Sequence, residues 1–200
     1  MLSNTPAEVE VINFGQIGKI VAPQGWVLED AQEDSLSAKK LKLFHVADAR
    51  EINITVYFRG APVSDTSASR LLALFKAKPA LKAPEQLSLE EVKSLTQVFG
   101  YSTAGDNQFT NEAKRGSDEF PVFTMELAET VQINGKTVLR VTGTFQNRQA
   151  VPTMEYKGIF FTDNESGRNV EEVFYQAPSR GKYLRYLSAF DECLSTIEWR

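Results

Sequence analysis

Residues with the chemistry for catalysis are few: the chain of 200 residues holds one histidine, His45, and one cysteine, Cys193. A nucleophile of the Ser-His-Asp or Cys-His kind would have to recruit His45, whose imidazole titrates near neutrality and can accept and return a proton. His45 shares the Leu41, Leu43 face of a segment that alternates as a strand, which predicts a packed or edge-strand histidine. Cys193 lies beside an apolar helical stripe and is expected to be a small buried hydrophobe. Neither placement makes a catalytic dyad.

The remaining motifs lack the context their chemistry needs. Ser37-Ala38-Lys39-Lys40 has the serine-lysine spacing of penicillin-binding enzymes, but a strand follows where a helix should begin. Asp163, Glu165, Glu171 and Glu172 bring carboxylates to one hairpin without the alternating ligands, central glycine and closing glutamate of a calcium loop, so an exposed acidic turn is expected. Gly181-Lys182 has Gln176 where a phosphate loop needs glycine. Asn53-Ile54-Thr55 and Asn164-Glu165-Ser166 fit glycosylation acceptors, but Met1 to Pro6 shows no export signal, so both are expected to be incidental. Glu126 and Arg140 are candidates for a cross-strand ion pair, with a dispersed carboxylate site of an enzyme as the third alternative for such distant pairs. No catalytic, metal-ligating or cofactor-binding residue is assigned, no cofactor is expected, and the chain reads as a non-enzyme.

These residues sit on elements whose order is readable. Asn134-Gly135 supplies the two positive-φ positions of a type I′ turn between strands Val122 to Gln132 and Lys136 to Gln146. Alternation places Phe123, Met125, Leu127 and Val131 on one greasy face, with Thr124, Glu126, Ala128 and Thr130 on a wetter one. A second hairpin runs from Tyr156 to Thr162 and from Asn169 to Tyr175, and Ile159-Phe160-Phe161 marks an interior strand covered on both faces. Ser179 is placed to cap a long helix along which Tyr183, Leu187, Phe190, Leu194 and Ile197 recur at helical spacing, with Trp199 at its end.

Upstream, Gly18 to Ala22 and Trp26 to Asp30 read as strands around Pro23-Gln24-Gly25, and Lys39 to Ala47 with Arg50 to Arg59 as a hairpin. Ser64 or Asp65 starts a helix with Ala68, Leu71, Leu72 and Phe75 inward, which stops before Pro79. Ser88 and Glu91 form a capping box with a Leu87/Val92 staple, and Gly100 closes that helix. A strand is expected around Gln108 to Lys114. The fold class is α+β: an antiparallel sheet flanked by helices in an α/β/α sandwich, with the long C-terminal helix packed on the sheet. Residues 1–200 form a single domain in which 64–118 is a helical and polar insertion between the N-terminal and C-terminal strands.

Hydrophobic residues make up 42% of the chain, enough for one core of this length. The net charge of −4 and pI near 5.2 offer no basic footprint, so nucleic acid is not an expected partner. The longest apolar run, Leu71 to Phe75, is far short of the ~20 residues that span a bilayer, so no membrane association is expected. A lone cysteine fits a reducing compartment, and the expected location is cytoplasmic. Trp26 and Trp199 are read as core or rim packing, with an interface anchor as the alternative.

The run Ile20-Val21-Ala22-Pro23-Gln24-Gly25-Trp26 resembles the opening of Mog1/PsbP-like proteins and their bacterial DcrB-like relatives. That resemblance implies a sheet flanked by helices and a role in binding other proteins, as a secretion-associated chaperone, an assembly factor or an immunity protein. Its matching positions look structural and carry no site residue over. The leading expectation is a non-enzymatic protein-binding module; the alternative is a helix-grip-like carrier of a small apolar ligand.

Overall fold

The computed structural model describes residues 9–34, 39–58, 63–111, 122–146, 154–163 and 165–200. The fold is α+β, with three α-helices among the described residues and sheets in which every pairing among them is antiparallel. The N-terminal part is β1 (Glu10–Phe14), β2 (Ile17–Val21), β3 (Trp26–Asp34), β4 (Lys39–Val46) and β5 (Ala49–Phe58). The middle is α1 (Asp65–Ala77), β6 (Glu85–Gln86), α2 (Leu89–Leu95), a 3-10 turn Thr96–Phe99, β7 (Tyr101–Thr103) and β8 (Gln108–Asn111). The C-terminal part is β9 (Val122–Ile133), β10 (Lys136–Gln146), β11 (Met154–Thr162), β12 (Val170–Ala177), α3 (Arg180–Ser195) and β13 (Glu198–Trp199).

One ten-stranded sheet runs in the order β3-β4-β5-β12-β11-β10-β9-β8-β7, with β6 paired to β9. Both of its faces are covered. On one, α3 lays Tyr183, Phe190 and Leu194 over Ile54, Val173, Tyr175, Ile159 and Phe161. On the other, Leu71 and Leu74 of α1 and Leu95 of α2 pack on Ala128, Leu139, Phe160 and Val170. The central β11 therefore has Ile159 and Phe161 fully buried on one side and Phe160 on the other, as its unbroken apolar run requires. Burial of each such side chain is worth about 1.5–3 kcal/mol. Residues 64–111 supply the helical cover of the second face and also strands β6, β7 and β8.

Local signals acted where expected. Asn134 and Gly135 adopt φ of 48° and 83° between β9 and β10. Ser88 and Glu91 complete the capping box, and Ser64 and Ser179 accept amides at the starts of α1 and α3. In α1 the buried residues are Ala68, Leu71 and Leu74, while Leu72 and Phe75 are half-buried.

Four expectations are corrected. The first hairpin does not have one greasy and one wet face: the register passes from Thr142↔Leu127 to Gly143↔Met125, leaving Glu126 as a bulged residue. A bulge reverses the alternation. Phe123 and Met125 therefore lie on the α2 side with Ala128, whereas Val131 lies under α3. Gly143 permits this, because a Cβ there would stand 2.2 Å from the Thr124 carbonyl oxygen and 2.7 Å from the Phe123 ring.

The terminal helix stops at Ser195, and Trp199 belongs to the strand β13 instead. Its indole Nε1 donates to the Ile133 carbonyl at 2.7 Å, and Asn134 Nδ2 donates to the Ile197 carbonyl at 2.7 Å, so the β9–β10 turn draws the chain out of the helix. The helix begun at Ser88 yields to a 3-10 turn at Thr96, so Gly100, with the positive φ of 72° expected of a closing residue, ends that turn and not the α-helix itself. Finally, β1, β2 and β13 form a separate three-stranded sheet, to which β1 contributes a strand the periodicity did not announce.

Candidate functional site

The most site-like feature is an apolar cavity of about 60 Å³ between α2 with its 3-10 extension and the adjoining face of the large sheet. The helical wall is Leu87, Val92, Leu95 and Phe99. The staple built by the capping box sets Leu87 and Val92, so the cap that starts α2 also shapes this wall. Across it stand Phe109 on β8, Phe123 on β9, Phe145 on β10, and Tyr156 and Phe160 on β11.

These rings hold one another. Phe123 and Phe145 lie 4.8 Å apart between centroids, and Tyr156 meets both edge-on at 5.5 and 5.4 Å. Such pairs add roughly 0.5–1.5 kcal/mol beyond their burial. The floor is lowered where side chains are smallest, at Ala128. Without the bulge at Glu126, Phe123 would face α3 and the wall would be open.

The few polar side chains along the cavity turn their polar atoms elsewhere. Tyr156 donates its hydroxyl to Glu172 Oε1, reaching across Gly158, where a Cβ would sit 2.1 Å from that hydroxyl. Thr96 Oγ1 donates to the Lys93 carbonyl at 2.9 Å. The space is chemically suited to hydrocarbon and to nothing charged.

The residues singled out from sequence are dispersed. His45 is packed in β4, an interior strand: Nδ1 donates to the Val46 carbonyl at 2.9 Å, and Nε2 lies 3.7 Å from Glu29, which also holds Arg50. Cys193 is buried in the core under α3, and burial pushes its thiol up to about 12, which makes it inert. Trp26 is core, edge-on to Tyr186 at 6.1 Å, and Trp199 packs on Phe161 at 4.9 Å. Lys182 pairs with Glu51 at 2.9 Å, and Asn53 is buried with its amide donating to the Arg50 carbonyl. Ser37 and Asn164 lie outside the described residues, as do the side chains of Lys39 and Lys40.

Arg140 pairs with Glu129, directly opposite on β9, and not with Glu126, because the register set by the Asn134-Gly135 turn aligns those two residues before the bulge is reached. Glu126 lies 3.9 Å from Arg180 instead.

The acidic hairpin is the expected exposed turn only in part: Glu165 is exposed and Asp163 half-buried, but the two carboxylates on β12 are not at the surface. Asp163 is its organiser, accepting from the amides of Ser166, Gly167 and Asn169; although burial works against ionisation, those bonds hold its carboxyl below the usual range. Glu171 and Glu172 point to opposite faces of β12 and are both buried. Glu171 accepts the Gln16 amide on both oxygens, at 2.9 and 3.0 Å, and burial pushes its pKa up to about 7. Lys136 is buried nearby, its pKa lowered by the same desolvation. Sequence reasoning placed neither the cavity nor this pair; the run of aromatics was the only signal for the first.

Among the described residues no group of three or more His, Cys, Asp or Glu is arranged to hold a metal ion, and no helix is long and apolar enough to cross a membrane. The sequence matches no protein-family model and no curated protein.

Proposed function

We propose that the protein is a binding module that receives an apolar side chain of a partner protein in the cavity between α2 and the sheet. The observation that carries this reading is the cavity itself: about 60 Å³, aromatic-walled, with its polar neighbours' atoms bonded elsewhere. Size favours a partner's side chain over a carried ligand. Pockets that enclose a drug-sized ligand are roughly 300–1,000 Å³. A space of about 60 Å³ suits one anchoring side chain of the kind that dominates protein interfaces, not the whole of a carried lipid.

The resemblance of Ile20–Trp26 to Mog1/PsbP-like and DcrB-like proteins points the same way, toward chaperone, assembly or immunity roles exercised by contact. Pro23 and Trp26 are buried and Gly25 adopts φ of 79°, so these residues build the β2–β3 connection and do not act in a site. The acidic pI and the single cysteine favour a cytoplasmic protein that does not bind nucleic acid.

The test compares wild type with Ala128→Val, which fills the cavity from its floor, in quantitative affinity capture. A partner held by wild type and lost by the variant supports the reading. Identical capture by both, or recovery of a bound lipid from wild type by native mass spectrometry, refutes it.

A further inference from the structure

The three-stranded sheet β1-β2-β13 meets the large sheet over a buried carboxylate. Gly15 and Gln16 form the β1–β2 turn, and Glu171 of β12 reaches into it to accept the Gln16 amide on both oxygens. The fit is close enough that a Cβ on Gly15 would lie 2.1 Å from Glu171 Oε2, and Gly15 adopts φ of 55°. The chain's last residue closes the same turn: the Arg200 amide donates to the Gln16 carbonyl at 3.0 Å and its guanidinium to the Gly15 carbonyl at 3.3 Å. Glu171 itself is 1% exposed.

Its electrostatic surroundings do not neutralise it. Lys136 of β10 is within electrostatic reach, but its ammonium, buried near the Trp199 ring, has no hydrogen-bond partner and makes no ion pair with Glu171. Arg200 favours the carboxylate, and Asp163 after β11 opposes it. The opposite neighbours on β5 and β11, Phe58 and Phe161, are apolar. On the small sheet, Lys19 is paired with Glu10 at 2.9 Å. An ionised Glu171 is thus a desolvated charge secured by one backbone amide, while a protonated one keeps a carbonyl oxygen for that amide without the desolvation cost.

We propose that Glu171 is a proton-operated latch for the β1-β2-β13 sheet: protonated, it holds the small sheet closed; ionised, it loosens the β1–β2 turn so that water reaches the carboxylate. The direction follows from linkage. The closed state binds the proton more tightly than the hydrated open state, so closure weakens as pH rises from about 4.5 and levels off above about 7. A span of that width limits the change to roughly 300-fold, about tenfold per pH unit inside the window.

The experiment is NMR-detected amide exchange from pH 4.5 to 8.5, with protection in β1, β2 and β13 expressed relative to β10 and β11 and corrected for intrinsic rates. The expected result is a loss of at least tenfold in that ratio between pH 5 and 7, a plateau above pH 8, and a flat ratio in Glu171→Gln, which retains an acceptor for the Gln16 amide. A ratio independent of pH in wild type, or the same loss in Glu171→Gln, overturns the latch. Should that variant not fold, direct carbon-13 titration of the Glu171 carboxyl in wild type decides: a midpoint below about 5.5 overturns the proposal, and one between about 6 and 8 that tracks the exchange ratio supports it.

Discussion

Filling the cavity with Ala128→Val should stabilise the protein while removing its binding. Fully enclosed, a void of about 60 Å³ would carry a penalty of about 1.4 kcal/mol, at roughly 24 cal/mol per Å³, and because this one opens to the surface that figure is the ceiling. Valine adds two methyl groups to that space from its floor. Ala128 is 3% exposed and sits on β9 opposite Val141, where a β-branched residue suits the strand. A chain of 200 residues unfolds with an entropy of about 0.4 kcal/mol/K, so the melting temperature should rise by up to about 3 °C in scanning calorimetry. Cavity filling commonly yields gains of this size in natural proteins, so the loss of binding, and not the stabilisation, is what tests the use of the space. A fall of 2 °C or more would show that the rings already close the space and that valine overpacks it. In that case the binding argument loses its foundation.

Other perturbations probe the frame around these features. Gly15→Ala should cost more than about 2 kcal/mol in urea denaturation, since it combines a positive φ with a clash on Glu171, and adding Glu171→Ala should recover part of the loss; simple additivity would refute the contact. Asn134→Ala removes the donor that holds the carbonyls of Ser195 and Ile197, and should destabilise by about 1–3 kcal/mol and expose Trp199 to a fluorescence quencher. Ser88→Ala breaks the capping box and should cost about 1 kcal/mol, read by thermal melts. Cys193 should resist thiol reagents at pH 8 and react only at the rate of unfolding; rapid labelling of the native protein would contradict its burial.

Short-range chemistry was legible along the chain, and long-range closure was not. The Asn134-Gly135 turn, the Ser88/Glu91 box, the Ser179 cap and the doubly buried Ile159–Phe161 strand each depend on residues a few positions apart, so their types and spacing announce them. From these the α+β class and the helix laid on the sheet follow. The cavity was not legible, because its walls come from five strands and a helix, and because one bulged residue, Glu126, turns Phe123 toward it. A strict period of two cannot reveal where that period slips.

The same divide separates composition from electrostatics. Counting one histidine and one cysteine limited the available nucleophiles before any fold was known. Glu171 and Glu172 looked like equivalent surface acids, but adjacent residues on a covered strand point into different layers. Only the folded chain brings Gln16, 155 positions away, onto Glu171. Local sequence determined the elements and the faces they present, since backbone sterics and capping act within a turn or two. Tertiary packing decided which faces met, which charges lost their water and where the space between helix and sheet was left unfilled.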